Sequence, residues 1–482
     1  MNFLVVQRIL GLLLILFSLT MLPPIVVSLY YRDGDWQPFF DAFVTLSVLG
    51  AVVWWPVRRR IRELRLRDGF LVVALFWVVL SIAGAVPLLL SDRPELSATD
   101  AVFEAVSGFT TTGATVIVGL DELPRSILYY RHQIQWLGGI GMVVLAVALL
   151  PMLGVGGMQL LRAETPGPVK DAKLTPRITQ TAKMLWVIYV ALTAACAVAY
   201  ALAGMPIFDA IGHSLSTLST GGYSSHDASL SYFANPVIEM IAVVFMLLGG
   251  VNFALHFMAW RHRRVSDYFR DPEFRTYILV LGSTTLLCTL VLWLSDVTSP
   301  LDALRRSLFQ AVSIQTSTGF LTDDFSVWPG AVPVFLILTT FVGGCAGSTA
   351  GGMKVIRWLM MWKQGQREIT QLVHPSAELP VKLGSKPIDV RIIEAVWGFF
   401  AVYVACFAVL MLVLMSTGVD QVTAFSAIAT CMNNTGPGLG AVTANFTALS
   451  ELGKWISIVA MLLGRLEVFP LLVLISPTFW RR

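Results

Sequence analysis

The sequence predicts an all-α polytopic membrane protein, in which an N-terminal helix pair is followed by four pseudo-symmetric helix–P-loop–helix repeats around a central pore. Three observations support this fold class: the composition, the number of long apolar stretches, and a short motif that recurs four times. Of the 482 residues, 56% are hydrophobic and only 13% are charged. Soluble domains carry about 25% charged residues, so a chain this apolar requires a lipid environment.

Long apolar stretches define the predicted spans. A helix needs about 20 apolar residues to cross a bilayer. Ten stretches approach this length, and they are about Ile9–Tyr30, Phe39–Pro56, Leu71–Leu90, Ile127–Met152, Leu185–Ala203, Val237–Phe257, Thr276–Leu294, Val332–Met360, Ile393–Ser416 and Trp455–Ser476. The first two form the predicted N-terminal pair.

The distribution of Lys and Arg predicts the orientation. The two termini and the segments Arg58–Arg67, Arg162–Lys183, Arg261–Arg275 and Lys354–Arg391 hold 26 of the 34 basic residues. The opposite loops hold 7, and Arg465 falls inside a span. Basic residues accumulate on the cytoplasmic side, so both termini are predicted to be cytoplasmic. The basic loops indicate topology and contact with anionic lipid, or alternatively a docking site for a cytoplasmic partner.

Four short segments between the spans share one pattern. Each is a short amphiphilic run that ends in Thr-Gly, and they are FEAVSGFTTTG, IGHSLSTLSTG, FQAVSIQTSTG and SAIATCMNNTG, with final glycines Gly113, Gly221, Gly319 and Gly436. Each is followed by a span with a glycine-containing break, namely Gly138-Gly139, Gly249-Gly250, Gly343-Gly344 and Gly464-Arg465. Self-similarity at a fixed spacing indicates an internal repeat.

An ion pore provides a physical reason for this pattern. Rings of backbone carbonyls can replace the hydration shell of K⁺, and glycine tolerates the backbone angles that such rings require. Irregular backbone at membrane depth must line a cavity or be buried in protein. The predicted potassium-binding filter residues are Thr111, Thr112, Gly113, Ser219, Thr220, Gly221, Ser317, Thr318, Gly319, Asn434, Thr435 and Gly436. The alternative is four ordinary re-entrant turns at helix ends.

The third repeat contains a glycine-rich stretch inside its second span. Five glycines within ten residues destabilise a helix by roughly 0.5–1 kcal/mol each, so the stretch is predicted to unwind. The predicted gate comprises Gly343, Gly344, Gly347, Ser348, Thr349, Gly351 and Gly352, together with Arg465 of the last span. The alternative for the glycines is close packing of helices through small residues.

Arg465 lies near the middle of the last predicted span. An ionisable residue at this depth costs at least ~2.5–3.5 kcal/mol, so it should face a polar interior. Glu467 faces a different side of an ideal helix, which makes the carbonyls of the glycine-rich stretch the expected partners. The proposed role is a fixed positive charge that raises the barrier to cations. The alternative is a structural buried ion pair with another helix.

These motifs resemble the Trk/Ktr/HKT superfamily of potassium transporters, and most closely its bacterial Trk-type uptake membrane subunit. The resemblance rests on the four Thr-Gly loops, the GGCAGSTAGG stretch and the arginine in LLGRLE, and it covers nearly the whole chain. It implies a potassium-selective pore, a homodimer in the bacterial inner membrane, and a separate TrkA-like cytoplasmic ring that binds nucleotides. In this family, glycine in all four filters accompanies potassium, whereas serine at the first accompanies sodium. Asn434 departs from the usual pattern.

The predicted organisation assigns residues 1–66 to the N-terminal helix pair. Residues 67–160, 161–262, 263–362 and 392–482 form the four repeats, and 363–391 form a cytoplasmic loop. No enzymatic motif, covalent cofactor or nucleic-acid signature is predicted, and K⁺ is the transported ion. Two functions remain open: channel-like uptake driven by the membrane potential, and symport of potassium with protons or sodium. Acidic residues after the filters concentrate cations or belong to ordinary solvated loops, and they are Asp121, Glu122, Asp227, Asp323 and Asp324.

Overall fold

The protein is described by a computed structural model that covers residues 3–59, 66–148, 178–375, 377, 379–384 and 386–480. The predicted boundary between repeats 1 and 2, at residues 160–161, lies outside these residues. Most of the predicted cytoplasmic segment 162–183 also lies outside them.

Helices dominate the described part of the chain, which confirms the all-α prediction. The helices are α1 Phe3–Ser18, α2 Leu22–Tyr31, α3 Trp36–Trp54, α4 Leu66–Leu90, α5 Ala98–Phe109, α6 Arg125–Ala148, α7 Ile178–Leu202, α8 Ile207–Leu218, α9 Pro236–Gly249, α10 Phe253–His262, α11 Ser266–Arg270, α12 Pro272–Leu294, α13 Pro300–Gln315, α14 Val332–Thr340, α15 Val355–Val373, α16 Val390–Met415, α17 Gln421–Met432, α18 Glu451–Arg465, α19 Phe469–Ile475 and α20 Pro477–Trp480. A short antiparallel hairpin pairs β1 Lys382–Leu383 with β2 Lys386–Pro387.

The four short helices α5, α8, α13 and α17 each precede one predicted filter loop. Three of them begin at a side-chain cap: Ser97, Ser299 and Asp420 accept hydrogen bonds from backbone N–H groups of the first turn. Such caps satisfy donors that the helix itself leaves free. The carboxyl ends of the four short helices lead into the loops, and these ends carry partial negative charge.

Three predicted spans are broken rather than continuous. In repeat 2, α9 and α10 are bent by 96° at a short break. In repeat 3, α14 ends at Thr340 and helix resumes only at Val355, which is the unwinding expected from the glycines. In repeat 4, α18 ends at Arg465 and α19 begins at Phe469. Among the described residues, six helices are long and apolar enough to cross a membrane, or seven if the bent pair counts as one span.

The glycine pair of repeat 1 does not break its helix, because α6 continues through Gly138 and Gly139. A Cβ on Gly138 would lie 1.9 Å from Phe109 O, at the end of the preceding short helix. In the same way, a Cβ on Gly464 would lie 2.0 Å from Met432 O, at the end of α17. In repeats 1 and 4, these glycines therefore allow a long helix to approach the end of its own short helix.

Buried apolar clusters form within and between the four repeats. The N-terminal pair contributes to the cluster of repeat 1, where Phe17 and Phe39 pack with Trp77 and Phe109. Helices α1 and α3 cross closely, since a Cβ on Gly11 would lie 2.7 Å from Trp54 N. The pair thus packs against the outside of the repeats and supports repeat 1.

Candidate functional site

The four loops after α5, α8, α13 and α17 share one backbone geometry, and together they are called the loop ring. In each, a backbone N–H donates to the carbonyl five residues earlier: Thr112 to Ser107, Gly221 to Ser216, Thr318 to Ser313 and Thr435 to Thr430, at 2.8–2.9 Å. These bonds fold each loop back under its short helix. The loops are therefore structurally equivalent as well as similar in sequence.

The equivalence shifts the register of repeat 2 by one residue from the sequence prediction. Gly221 occupies the place of Thr112, and the glycine with positive φ is Gly222 (φ 77°), which matches Gly113 (φ 81°). The Thr220-Gly221 pair was therefore aligned one residue too early. The cause is that Gly222 follows Gly221 immediately, so the Thr-Gly motif alone does not identify which of the two glycines has the positive φ.

Close contacts join the loops into a closed ring. A Cβ on Gly113 would lie 2.1 Å from Gly221 O, and one on Gly222 would lie 1.9 Å from Thr318 O. A Cβ on Gly319 would lie 2.0 Å from Thr435 O, and one on Gly436 would lie 2.8 Å from Thr112 O. Each glycine thus lies against a carbonyl of the next repeat, in the order 1, 2, 3, 4, 1. No side chain fits at these four positions without displacing the neighbouring backbone.

A second layer of unusual backbone lies two residues before each of these glycines. Thr111, Thr220, Ser317 and Asn434 have φ values of 56°, 52°, 56° and 52°. Non-glycine residues adopt such angles rarely, and they do so where the surroundings enforce them. All four are at most 1% exposed. These four residues belong to the predicted filter, but the sequence does not reveal that their backbone has positive φ.

A buried ion pair supports the ring from behind. Arg131 on α6 donates from Nε to Glu104 on α5 at 2.8 Å, and neither side chain is more than 1% exposed. Arg131 also donates to Ser224 O (3.1 Å) and lies over the Tyr223 ring. Glu104 in turn accepts from Val116 N at 3.1 Å. One arginine therefore connects the segments that follow the loops of repeats 1 and 2.

Gln135, one turn along α6, holds the repeat 2 loop directly. Its Nε2 donates to Gly221 O at 2.6 Å, and its Oε1 accepts from Tyr223 N at 3.0 Å. Neither Arg131 nor Gln135 is among the site residues predicted from the sequence. The available signal was three polar residues, Arg131, His132 and Gln133, followed by Gln135 in an otherwise apolar span.

The intramembrane loop, residues 341–354, lies directly beneath the loop ring. Its Cys345 N–H donates to Gly250 O at 2.8 Å, at the bend between α9 and α10. Its Gly351 N–H donates to Ser317 Oγ at 2.5 Å. A Cβ on Gly351 would lie 2.0 Å from Asn433 O. The loop thus contacts repeats 2, 3 and 4 with its own backbone.

Arg465, at the end of α18, is 3% exposed and contacts this loop. It donates from Nη1 to Thr349 O and from Nη2 to Gly138 O, both at 3.1 Å. Glu467 instead forms an ion pair with Arg357 at 2.5 Å. The hydrogen-bond partners of Arg465 are therefore backbone carbonyls, and they come from repeat 3 (Thr349) and repeat 1 (Gly138), the two neighbours of repeat 4 in the ring.

Two of the acidic residues that follow the loops have structural partners. Asp227 accepts from the backbone N–H groups of Gly119 and Leu120 at 3.1 and 3.0 Å. Asp323 pairs with Arg306 at 3.0 Å. The ordinary-loop alternative therefore accounts for these two carboxylates. No group of three or more metal-binding side chains was found among the described residues.

Comparison with known proteins identifies the family of this chain. Residues 36–482 match the family model TrkH, described as a cation transport protein. The chain is 53% identical to the Trk system potassium uptake protein TrkH of Escherichia coli K12 and 54% identical to that of Halomonas elongata, over the full length of both chains in each case. The crystal structure of the potassium transporter TrkH from Vibrio parahaemolyticus is similar with a TM-score of 0.93 and 52% identity, and both chains are completely covered. This chain is therefore a member of the TrkH family of cation transport proteins.

Proposed function

We propose that this protein takes up potassium through the loop ring, driven by the membrane potential. The ring acts as a carbonyl selectivity filter, the intramembrane loop and Arg465 act as the gate, and a cytoplasmic subunit regulates the gate. One elementary charge gains about 2.3 kcal/mol per 100 mV, which is sufficient to drive uptake without a second coupled ion. The relatives named above are potassium uptake proteins, which supports this cargo.

The observation that carries the proposal is the closed contact order of Gly113, Gly222, Gly319 and Gly436 with the carbonyls of their neighbours. It supports a narrow ring lined by backbone oxygens, as dehydration of K⁺ requires. The carboxyl ends of four short helices converge beneath this ring, and their partial negative charge favours a cation there. A single chain can therefore supply pseudo-fourfold coordination.

The proposed gate combines a steric and an electrostatic barrier. The intramembrane loop fills the space beneath the ring, and the buried guanidinium of Arg465 adds a positive charge to the same path. Its hydrogen bonds to Thr349 O and Gly138 O hold that charge in place. Moving the loop would remove one of these two acceptors. Loop movement and displacement of the charge are therefore expected to occur together.

The proposed regulatory partner is a TrkA-like nucleotide-binding ring on the cytoplasmic side. The segment 363–391 comprises the second half of α15 and the β1–β2 hairpin that follows it, and α15 leads out of the intramembrane loop. A partner bound there could pull on the gate through this helix. The relatives are named as members of a Trk system, which is consistent with a second subunit. A homodimer is part of the same proposal.

The filter is tested by flux into proteoliposomes that contain only this protein. We expect K⁺ and Rb⁺ to pass well above Na⁺, and Gly113→Ser and Gly222→Ser to erode this preference because each side chain displaces a neighbouring carbonyl. Gly282→Ser is the matched control, since a Cβ at Gly282 on α12 meets nothing within 4 Å. Equal passage of Na⁺ and K⁺ by the unmodified protein would refute the filter.

The gate is tested in the same liposomes with Arg465→Ala. Removal of the buried charge should raise K⁺ flux, whereas Arg264→Ala, which removes an exposed cytoplasmic charge, should not. A reduced or unchanged flux in Arg465→Ala would contradict the assigned role. A chain that passes no ion at all until a cytoplasmic partner is added would instead support obligatory regulation.

Proton-coupled symport is the second candidate, and one carboxylate favours it. Glu273 at the start of α12 is buried and accepts from Ala346 N in the intramembrane loop at 2.7 Å. Glu273 is not among the site residues predicted from the sequence. A proton taken up by Glu273 would weaken that bond and couple protonation to the gate. A reversal potential that shifts with the pH gradient, and no longer does so in Glu273→Gln, would establish symport.

A further inference from the structure

Thr349 is the point where the intramembrane loop contacts both the loop ring and Arg465. Its hydroxyl lies 3.0 Å from Leu218 O, at the end of α8, and 3.0 Å from Gly249 O, at the end of α9. It also accepts a hydrogen bond from Thr220 Oγ1 at 3.3 Å. Its carbonyl accepts from Arg465 at 3.1 Å. The side chain therefore contacts the ring while the backbone of the same residue binds the buried charge.

A second hydrogen bond joins the loop to the ring two residues later. Gly351 N–H donates to Ser317 Oγ at 2.5 Å. Ser317 and Thr220 occupy the same place in repeats 3 and 2, and both have positive φ, at 56° and 52°. Two of the residues that hold the intramembrane loop, Thr220 and Ser317, thus belong to the strained layer of the ring. Polar groups buried this deeply need such partners.

We infer that Thr349 is a latch: its hydroxyl holds the intramembrane loop in the closed position against the strained layer and so couples the gate to the state of the loop ring. This inference rests on the proposed filter and gate. Thr349 is a positioning residue, because it acts through Arg465 and the loop. The latch comprises the Thr349 contacts and the Gly351–Ser317 hydrogen bond.

The latch has two consequences. Opening must break these hydrogen bonds, so their loss should favour the open state. Coupling between two sites is reciprocal, so an ion that alters the ring should also alter the loop. Occupancy of the ring by K⁺ is therefore expected to change how firmly the loop is held, and this effect should depend on the Thr349 hydroxyl.

The test compares Thr349→Val with Thr349→Ser and Thr339→Val in proteoliposomes. Valine keeps the shape and the backbone carbonyl but removes the hydroxyl, and we expect resting K⁺ flux to rise about tenfold, the effect of losing roughly one buried hydrogen bond. Thr349→Ser keeps the hydroxyl and should behave as wild type. Thr339→Val is the matched control, since the Thr339 hydroxyl donates within its own helix, to Leu336 O at 2.7 Å.

A second measurement separates a latch from simple loss of structure. Hydrogen–deuterium exchange of the peptide covering 343–354 is compared in K⁺ and in choline. The wild-type loop should exchange at different rates in the two salts, and Thr349→Val should abolish this difference while α12 stays protected. If Thr349→Val fails to fold, Ser317→Ala removes the other half of the latch and should show the same two effects.

The outcomes distinguish the latch from the proposed function. Unchanged flux and unchanged salt dependence in Thr349→Val, with increased flux in Arg465→Ala, would overturn the latch and leave the gate intact. Unchanged flux in both variants, with no loss of selectivity in Gly113→Ser, would overturn the proposed filter and gate themselves. Increased flux in Thr349→Val with retained preference for K⁺ over Na⁺ supports the latch.

Discussion

Replacement of Arg131 by methionine tests how strongly the buried ion pair supports the loop ring. The substitution keeps much of the aliphatic stem but removes the bond to Glu104 (2.8 Å), the bond to Ser224 O (3.1 Å) and the contact with the Tyr223 ring. Glu104 would remain as a charge that is 0% exposed. Breaking a buried pair in this way costs about 3–5 kcal/mol.

The matched comparison is Arg305→Met. Arg305 pairs with Glu239 at 2.8 Å, and the Arg305 side chain is 31% exposed although that of Glu239 is only 9% exposed. One side of this pair therefore reaches solvent, whereas the Arg131–Glu104 pair is buried on both sides, and solvent access reduces the contribution of an ion pair to stability. We therefore expect Arg131→Met to lower the melting temperature of the purified protein much more than Arg305→Met.

A double-mutant cycle identifies the pair as the cause. Glu104→Gln removes the charge that Arg131→Met leaves unpaired, so the double variant should be less destabilised than the sum of the single variants, by about 0.5–3 kcal/mol. Because Arg131 also joins the segments after two loops, selectivity for K⁺ over Na⁺ should fall in the same variants. Strict additivity, or equal loss in Arg131→Met and Arg305→Met, would refute the reasoning.

Two further predictions concern His226 and the intramembrane loop. Burial lowers the pKa of His226, but the neighbouring carboxylates of Asp209 and Asp121 outweigh burial and raise this pKa above the usual 6.5. The stabilisation of the folded protein by protonated His226 should thus be complete below about pH 6.5 and should be lost as the pH rises through the raised pKa. Melting temperatures measured between about pH 5.5 and 8.5 should show this loss. The His226→Gln variant should lack this pH dependence. Gly351→Ala places a Cβ 2.0 Å from Asn433 O, so the loop must shift, and K⁺ flux at rest should increase in liposomes; a tighter closed state would contradict the packing described.

The repeated features of the fold were predictable because they are written in the local sequence. Four Thr-Gly motifs between apolar runs gave the number of repeats, and five glycines in ten residues gave the unwound stretch between Thr340 and Val355. Arg465 was expected to bind loop carbonyls because of its depth in the span, and the structure contains such a hydrogen bond. These inferences needed only helix propensity and the cost of burying charge.

Features that depend on tertiary contact were not predictable in this way. The pairing of Arg131 with Glu104 joins two helices across 27 residues, and nothing local specifies it. The place of Gly222 in the ring is decided by the carbonyl of Thr318 in another repeat. The continuity of α6 through Gly138 has the same origin, since packing against Phe109 O explains that glycine better than flexibility does.

The shifted register of repeat 2 gives the loop ring an unequal set of members. Where the other repeats have Thr112, Thr318 and Thr435, repeat 2 has Gly221, whose carbonyl already accepts a hydrogen bond from Gln135. A channel built from four identical chains must carry every substitution four times. Here, each quarter of the ring is encoded separately, so one quarter can be changed while the other three stay the same. In the proposed filter, substitution of Gly221 would therefore change the strength of ion binding at one quarter of the ring alone.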